Sequence, residues 1–242
     1  MNVPLQEDAP KPVLRCEQWS SYLLLVFIAG FFGAFTFLLR GAVFCNAQTF
    51  NFALCASALV AGDFSEFFYY FIPITAYFLG AFLSESAQGT IQKWLPIRWE
   101  TLLMGIEFGA VLLLGFLPER APHRISQVTI NLIASMQYNT FRETRKVPMS
   151  TTFCTNHLRQ IGINASHALF RHDREAVRRL GIHLKMVLCF FCGAFTGAFL
   201  SLRLLGRAIW VLLLPFAYLF IVFLKEDLHS AKEQTSLRPA GH

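Results

Sequence analysis

The chain has 242 residues, of which 55% are hydrophobic, 15% aromatic and only 15% charged, with a formal net charge of +6 and a mean hydropathy of +0.46. Soluble domains typically carry about 25% charged residues, and here the deficit coincides with apolar runs of about 20 residues, the length of a membrane-spanning helix. A water-soluble enzyme, a disordered tail and a small disulfide scaffold are excluded, and the excess of Lys and Arg reads as loop orientation rather than nucleic-acid binding.

Residues 1–20 are polar and contain Pro4, Pro10 and Pro12, with no long apolar region before Tyr22. A cleaved signal peptide is not expected, and the first span stays as an anchor. Six segments then read as spans: Ser21–Leu39, Ala42–Ala61, Phe67–Ser84, Thr101–Leu117, His183–Ser201 and Gly206–Leu224. Val128–Phe141 and Thr151–Phe170 are weaker, since they carry amides, hydroxyls and histidine. The runs lack period-2 alternation, so strands are not expected and the fold class is all-α. The organisation is an N-terminal segment 1–20, a membrane domain 21–224 with halves at 21–118 and 126–224, and a tail 225–242.

The richest basic stretch, Arg171 to Arg179, reads as a loop; Arg120 with Arg124 and Lys225 are further basic groups. Placing all of them in the cytoplasm puts both termini inside, in a bacterial inner membrane. Six spans satisfy this rule; eight would turn Arg142, Arg145 and Lys146 outward.

Three short words recur in the same order in both halves. Val43–Asn51 parallels Thr151–His157. Gly80-Ala81-Phe82-Leu83-Ser84 returns identically as Gly197-Ala198-Phe199-Leu200-Ser201, and Val111–Phe116 parallels Val211–Phe216. The basic insert Arg171–Gly181 reconciles the first two registers. Two repeats of three crossing segments would be inverted, and two of four would be parallel.

Polar groups inside apolar spans face a bundle interior or a cavity. Asn46, Gln48, Thr49 and Asn51 interrupt the second span; Gln137, Asn139, Thr152, Thr155, Asn156 and His157 crowd the corresponding region of the second half. Two readings stay open: a paired solute site between the halves, or hydrogen-bonded glue between helices. Glu107 is the one carboxylate deep in a strongly apolar run. It reads either as an ionisable coupling group or as the partner of Arg159, Arg203 or Arg207. Cys189 and Cys192 have CxxC spacing without a redox or zinc context, so packing is the expected role. Gly193 and Gly197 have the GxxxG spacing of close helix contact.

At these residues the chain resembles the YoaK family, bacterial inner-membrane proteins of unknown function with about six spans. Gln48, Thr49 and Asn51 match the family's first Gln-Thr-x-Asn element, with Phe50 in place of Gly. Gly33-Ala34 stands where that family has Asp-Ala. In the second half Gln137, Asn139, Thr151, Thr152 and Thr155 match, while Asn156 replaces Gly and His157 replaces Asn. The resemblance implies location and architecture, not an activity.

The expectation is therefore an integral membrane permease for a small polar solute or ion, with the lipid bilayer as its partner. No enzyme, metal, cofactor or nucleic acid is expected. A non-transporting sensor, scaffold or assembly protein is the alternative. A membrane-embedded enzyme using Glu107, His157 and His167 is the third reading.

Overall fold

The computed structural model describes residues 14–91, 94–95, 97–144, 147–148 and 154–236. Among them run eight α-helices: α1 (Trp19–Leu39), α2 (Gln48–Val60), α3 (Phe64–Ile91), α4 (Trp99–Gly115), α5 (His123–Thr140), α6 (Cys154–Arg171), α7 (Arg174–Leu204) and α8 (Leu213–Ser236). A 3-10 turn at Arg15–Glu17 precedes α1, and a 3-10 stretch at Leu205–Leu212 leads into α8. Glu143–Thr144 and Val147–Pro148 pair as a minimal antiparallel hairpin, the one strand pairing among the described residues.

Three helical stretches are long and apolar enough to cross a membrane: Trp19–Leu39 at hydropathy 2.4, Phe64–Ile91 at 1.5 and Arg174–Ala231 at 2.3. The last reverses at Leu205, whose φ of 51° breaks the helix. α1 is apolar on every side and is correspondingly buried, with Leu25, Ile28, Phe31 and Phe35 at 0% exposure. Other helices turn a large apolar face outward. On α7 that face is Leu184, Leu188, Phe191, Phe195, Phe199 and Leu202, spaced by three and four residues. Water would not tolerate such a face; lipid would.

Hydrogen bonds and close contacts fix the helix directions. On α7, Cys189 donates to the carbonyl of Leu23 at 3.1 Å, and Gly193 and Gly197 meet the carbonyls of Phe27 and Phe31. α7 therefore runs parallel to α1. On α3, Gly80 meets the carbonyl of Leu132, and Ser84 bonds that of Met136 at 3.4 Å, so α3 is parallel to α5. α5 opposes α1, because Gln127 bonds the carbonyl of Arg40 at 2.7 Å while Gln137 bonds that of Leu25 at 3.3 Å. α4 and α8 are antiparallel: Arg98 pairs with Glu226 and Asp227 at one end, and Trp210 bonds the carbonyl of Leu112 near the other. Six legs thus run the height of the bundle: α1, α4 and α7 one way, α3, α5 and α8 the other.

The segment Ala42–Ala61 is not a continuous span. Gly41 and Ala42 have φ of 72° and 57°, the chain stays non-helical to Ala47, and α2 has only 13 residues. Val128–Phe141 is instead a full leg, within α5. Exchanging one segment for the other reverses the expected directions of α3 and α4 and leaves those of α7 and α8 unchanged. The Arg120 turn consequently lies with Arg40 and Gly206, at the end opposite Arg15, Arg98 and Arg171, and not beside them as expected. The basic stretch from Arg171 is also no loop. Asp173 caps α7 through the N–H of Glu175 at 2.9 Å, and Glu175 pairs with Arg178 and Arg179 one turn on, the favourable i, i+3/i+4 arrangement.

Candidate functional site

The break after α1 creates the main polar cluster. A non-helical backbone inside an apolar bundle must find local partners, and the side chains of 46–51 supply them. Asn51 donates to the carbonyl of Phe44 at 2.8 Å and Gln48 to that of Cys45 at 3.1 Å. Asn46, 5% exposed, donates to the carbonyl of Ala29 at 3.1 Å and lies against Gly33, where a Cβ would be 3.4 Å away. Gln48 also donates to Asn131 of α5 at 2.7 Å, and Asn51 to Gln48 at 3.1 Å. Thr49 is exposed and outside this network.

α5 completes the cluster with Gln127, Asn131 and Ser135, spaced four apart on one buried face. Gln127 bridges the carbonyl of Arg40 and the hydroxyl of Tyr69, each at 2.7 Å. Ser135 bonds the carbonyl of Tyr77. Gln127 was not among the residues expected from sequence, although its four-residue spacing from Asn131 and Ser135 is the signal that marks it.

Among the described residues some acceptors in this interior have no hydrogen-bond partner: Asn51 Oδ1, Gln127 Oε1 and both oxygens of Glu107. Trp99 Nε1 bonds Thr140 at 2.7 Å near the termini end. Glu107 lies eight residues further along α4 and Asn131 nine residues back along α5, rises of about 12 and 13.5 Å at 1.5 Å per residue. Both therefore sit at similar mid-height. The ion pair considered for Glu107 does not form. Arg159 bonds Asn156 at 3.1 Å, Arg207 lines a cleft beside Glu119, and Arg203 lies over Phe199.

The second polar group does not join the first. His157 contacts His183 through their Nδ1 atoms at 2.9 Å, between α6 and α7. His183 precedes Cys189 by six residues, and Cys189 bonds Leu23, itself six residues before Ala29. His157 therefore lies roughly 18 Å below Asn46 along the bundle. Thr155 is exposed and Asn156 half-buried. Gln137 is buried on α5 and bonded to α1, whereas Asn139 reaches Ser84 and Glu85 near the termini end. Thr151 and Thr152 lie outside the described residues. Among the described residues no group of three His, Cys, Asp or Glu side chains could hold a metal ion, and Cys189 and Cys192 are both free thiols.

No curated protein and no solved structure matches the chain. A family model described as a protein of unknown function, DUF1275, matches residues 22–224, which takes in every helix from α1 into α8. On that match, this chain belongs to the DUF1275 family.

Proposed function

We propose that the chain is a six-crossing bacterial inner-membrane protein made of two inversely oriented repeats, working as a permease for a small polar solute or ion. In this reading α1, α3 and α4 form one repeat and α5, α7 and α8 the other, while α2 and α6 are polar segments that do not cross. Exchanging the two sets maps the contact of α1 with α7 onto that of α5 with α3, and α2 with α3 onto α6 with α7. The pair α4 with α8 maps onto itself. The repeated Gly-Ala-Phe-Leu-Ser words support the same exchange, since Gly80 and Gly197 each meet a carbonyl on the first helix of the opposite half. Three reversed crossings around interrupted polar segments are the arrangement of many secondary transporters. The basic residues Arg15, Arg98, Arg142, Arg171, Arg174 and Lys225 favour a cytoplasmic position for the end that carries both described termini.

The observation that carries the permease reading is the set of unmet buried acceptors: Asn51 Oδ1 and the Glu107 carboxyl in the interior, and Gln127 Oε1 nearer the end opposite the termini. Buried polar atoms without partners are costly, and a visiting solute, proton or cation would satisfy them. The YoaK-like residues Gln48 and Asn51 belong to this network, which agrees with a site there. Purified protein in proteoliposomes on a solid-supported membrane should give solute-evoked currents for at least one of a panel of amino acids, sugars and inorganic ions. Asn51→Leu and Glu107→Gln should abolish them. Folded protein silent across the panel would favour the second reading, a sensor or assembly protein, which the tight fit of α1 against α7 through Gly30 and Gly193 supports.

A further inference from the structure

We propose that a cleft at the bundle end opposite the termini is a site for a phosphate oxyanion, filled by the headgroup of an anionic phospholipid. The cleft encloses about 690 Å³ between the end of α4 and the turn from α7 into α8. Arg203 and Arg207 line it on one side and Glu119 on the other. Glu119 is already engaged: its Oε1 accepts the N–H of Gly206 at 2.8 Å, and among the described residues it pairs with neither arginine.

A third arginine lies beneath the floor. Arg40 is 1% exposed, interacts electrostatically with Glu119, and among the described residues its Nε and Nη2 have no hydrogen-bond partner. Nη2 stands 2.7 Å from where a Cβ on Gly206 would be, and Glu119 Oε1, which lines the cleft, stands 2.9 Å from the same point, so the guanidinium lies next to the cleft's carboxylate. Three guanidinium groups against one occupied carboxylate leave the cleft with net positive charge. Arg203 lies over the ring of Phe199 at 5.3 Å. That stacking leaves its planar edge available for two-pronged contact with phosphate oxygens.

The surroundings argue for a lipid as the source of the phosphate. Phe116, Leu204 and Leu205, exposed by 67, 48 and 49%, line the cleft. Trp210 forms its wall, the residue type enriched where hydrocarbon meets headgroups. A phosphate held by Arg203 and Arg207 would leave its acyl chains against these apolar side chains.

The test is thermal unfolding of the full chain in a neutral maltoside detergent with dioctanoyl phosphatidylglycerol, dioctanoylglycerol or inorganic phosphate added. The phosphatidylglycerol should raise the midpoint by about 3–6 °C at roughly ten times its Kd, and dioctanoylglycerol should leave it unmoved. Arg203→Gln with Arg207→Gln should lose the rise, whereas Lys225→Gln at the other end should keep it. An equal rise from inorganic phosphate would retain the oxyanion site and move its source from lipid to solution. A rise that survives the double arginine substitution, or no rise with either phosphate compound, overturns the assignment.

Discussion

Replacing Gly193 by alanine should push α7 away from α1. A Cβ there would stand 2.0 Å from the carbonyl oxygen of Phe27, whereas ordinary contact begins at 3.4 Å. The obstacle is backbone, which cannot rotate aside, so the helices must part by about 1.4 Å. Overpacking of this kind costs about 1–3 kcal/mol, against which alanine recovers up to about 1 kcal/mol of helix propensity. A net loss of about 1–2 kcal/mol corresponds to a fall in Tm of about 2–8 °C for a chain of this size. Gly30→Ala, at 2.1 Å from the carbonyl of Phe190, and Gly80→Ala, at 2.3 Å from that of Leu132, should behave alike. Gly197→Ala, at 2.8 Å, should cost least of the four. Gly109 has nothing within 4 Å and supplies the control; Gly109→Ala should raise Tm by a few degrees. The assay is heating of detergent-purified protein followed by intrinsic fluorescence of its four tryptophans. Equal shifts of the same sign for Gly193→Ala and Gly109→Ala would refute the claim that glycine lets these backbones touch.

Glu107→Leu removes a carboxyl that no hydrogen bond satisfies and should stabilise the fold by about 1–3 kcal/mol; an unchanged or lower Tm would mean that the carboxyl supports the fold. Arg98→Ala should destabilise by about 2–3 kcal/mol. It takes the guanidinium from Asp227, 2% exposed at its side chain, and leaves that carboxylate only the N–H of residue 98 at 2.9 Å and the Thr101 hydroxyl at 2.6 Å. Thr101→Val should cost only about 1 kcal/mol in the same melts. Burial pushes the Cys16 thiol up to about 12 from 9.0, so at pH 8 its thiolate share falls roughly a thousandfold. Cys16 should therefore resist a soluble maleimide until the chain is denatured, and labelling at the rate of a free thiol would contradict its burial.

Hydropathy made α1, α3, α7 and α8 legible, because length and apolar content are what a membrane selects. It failed on Ala42–Ala61 and on α5 for physical reasons. Ala42–Ala61 is apolar enough to span, but the break depends on left-handed backbone at Gly41 and Ala42, which no averaging window registers. α5 looks too polar to cross. Yet Gln127, Ser135 and Gln137 spend their hydrogen bonds on carbonyls of Arg40, Tyr77 and Leu25, so the bundle rather than lipid receives them. Spacing by four along α5 carried that information and composition did not. The site shows the same division. The amides at 46, 48 and 51 were visible as unusual in a span, but nothing local indicated that His157 packs on His183, roughly 18 Å from them along the bundle.

On the proposed permease reading, the pairing of helices also constrains how the chain could move. Transporters built from inverted repeats commonly rock one bundle against the other, which requires that most close contacts stay within a bundle. Here the closest backbone contacts join opposite halves: Gly193 and Gly197 of α7 on α1, and Gly80 of α3 on α5. Rocking one half as a body would tear both interfaces at once. The units that can shift whole are instead α1 with α7 and α3 with α5, each carrying its short polar helix, α6 on α7 and α2 on α3. Between these units run the bonds of Gln127 to Arg40 and of Gln137 to Leu25, and beside them lie the unmet oxygens of Asn51 and Gln127. A few hydrogen bonds exchange with solute or water far more readily than interlocked glycines separate. The seam between α1 and α5 is therefore where a path would open.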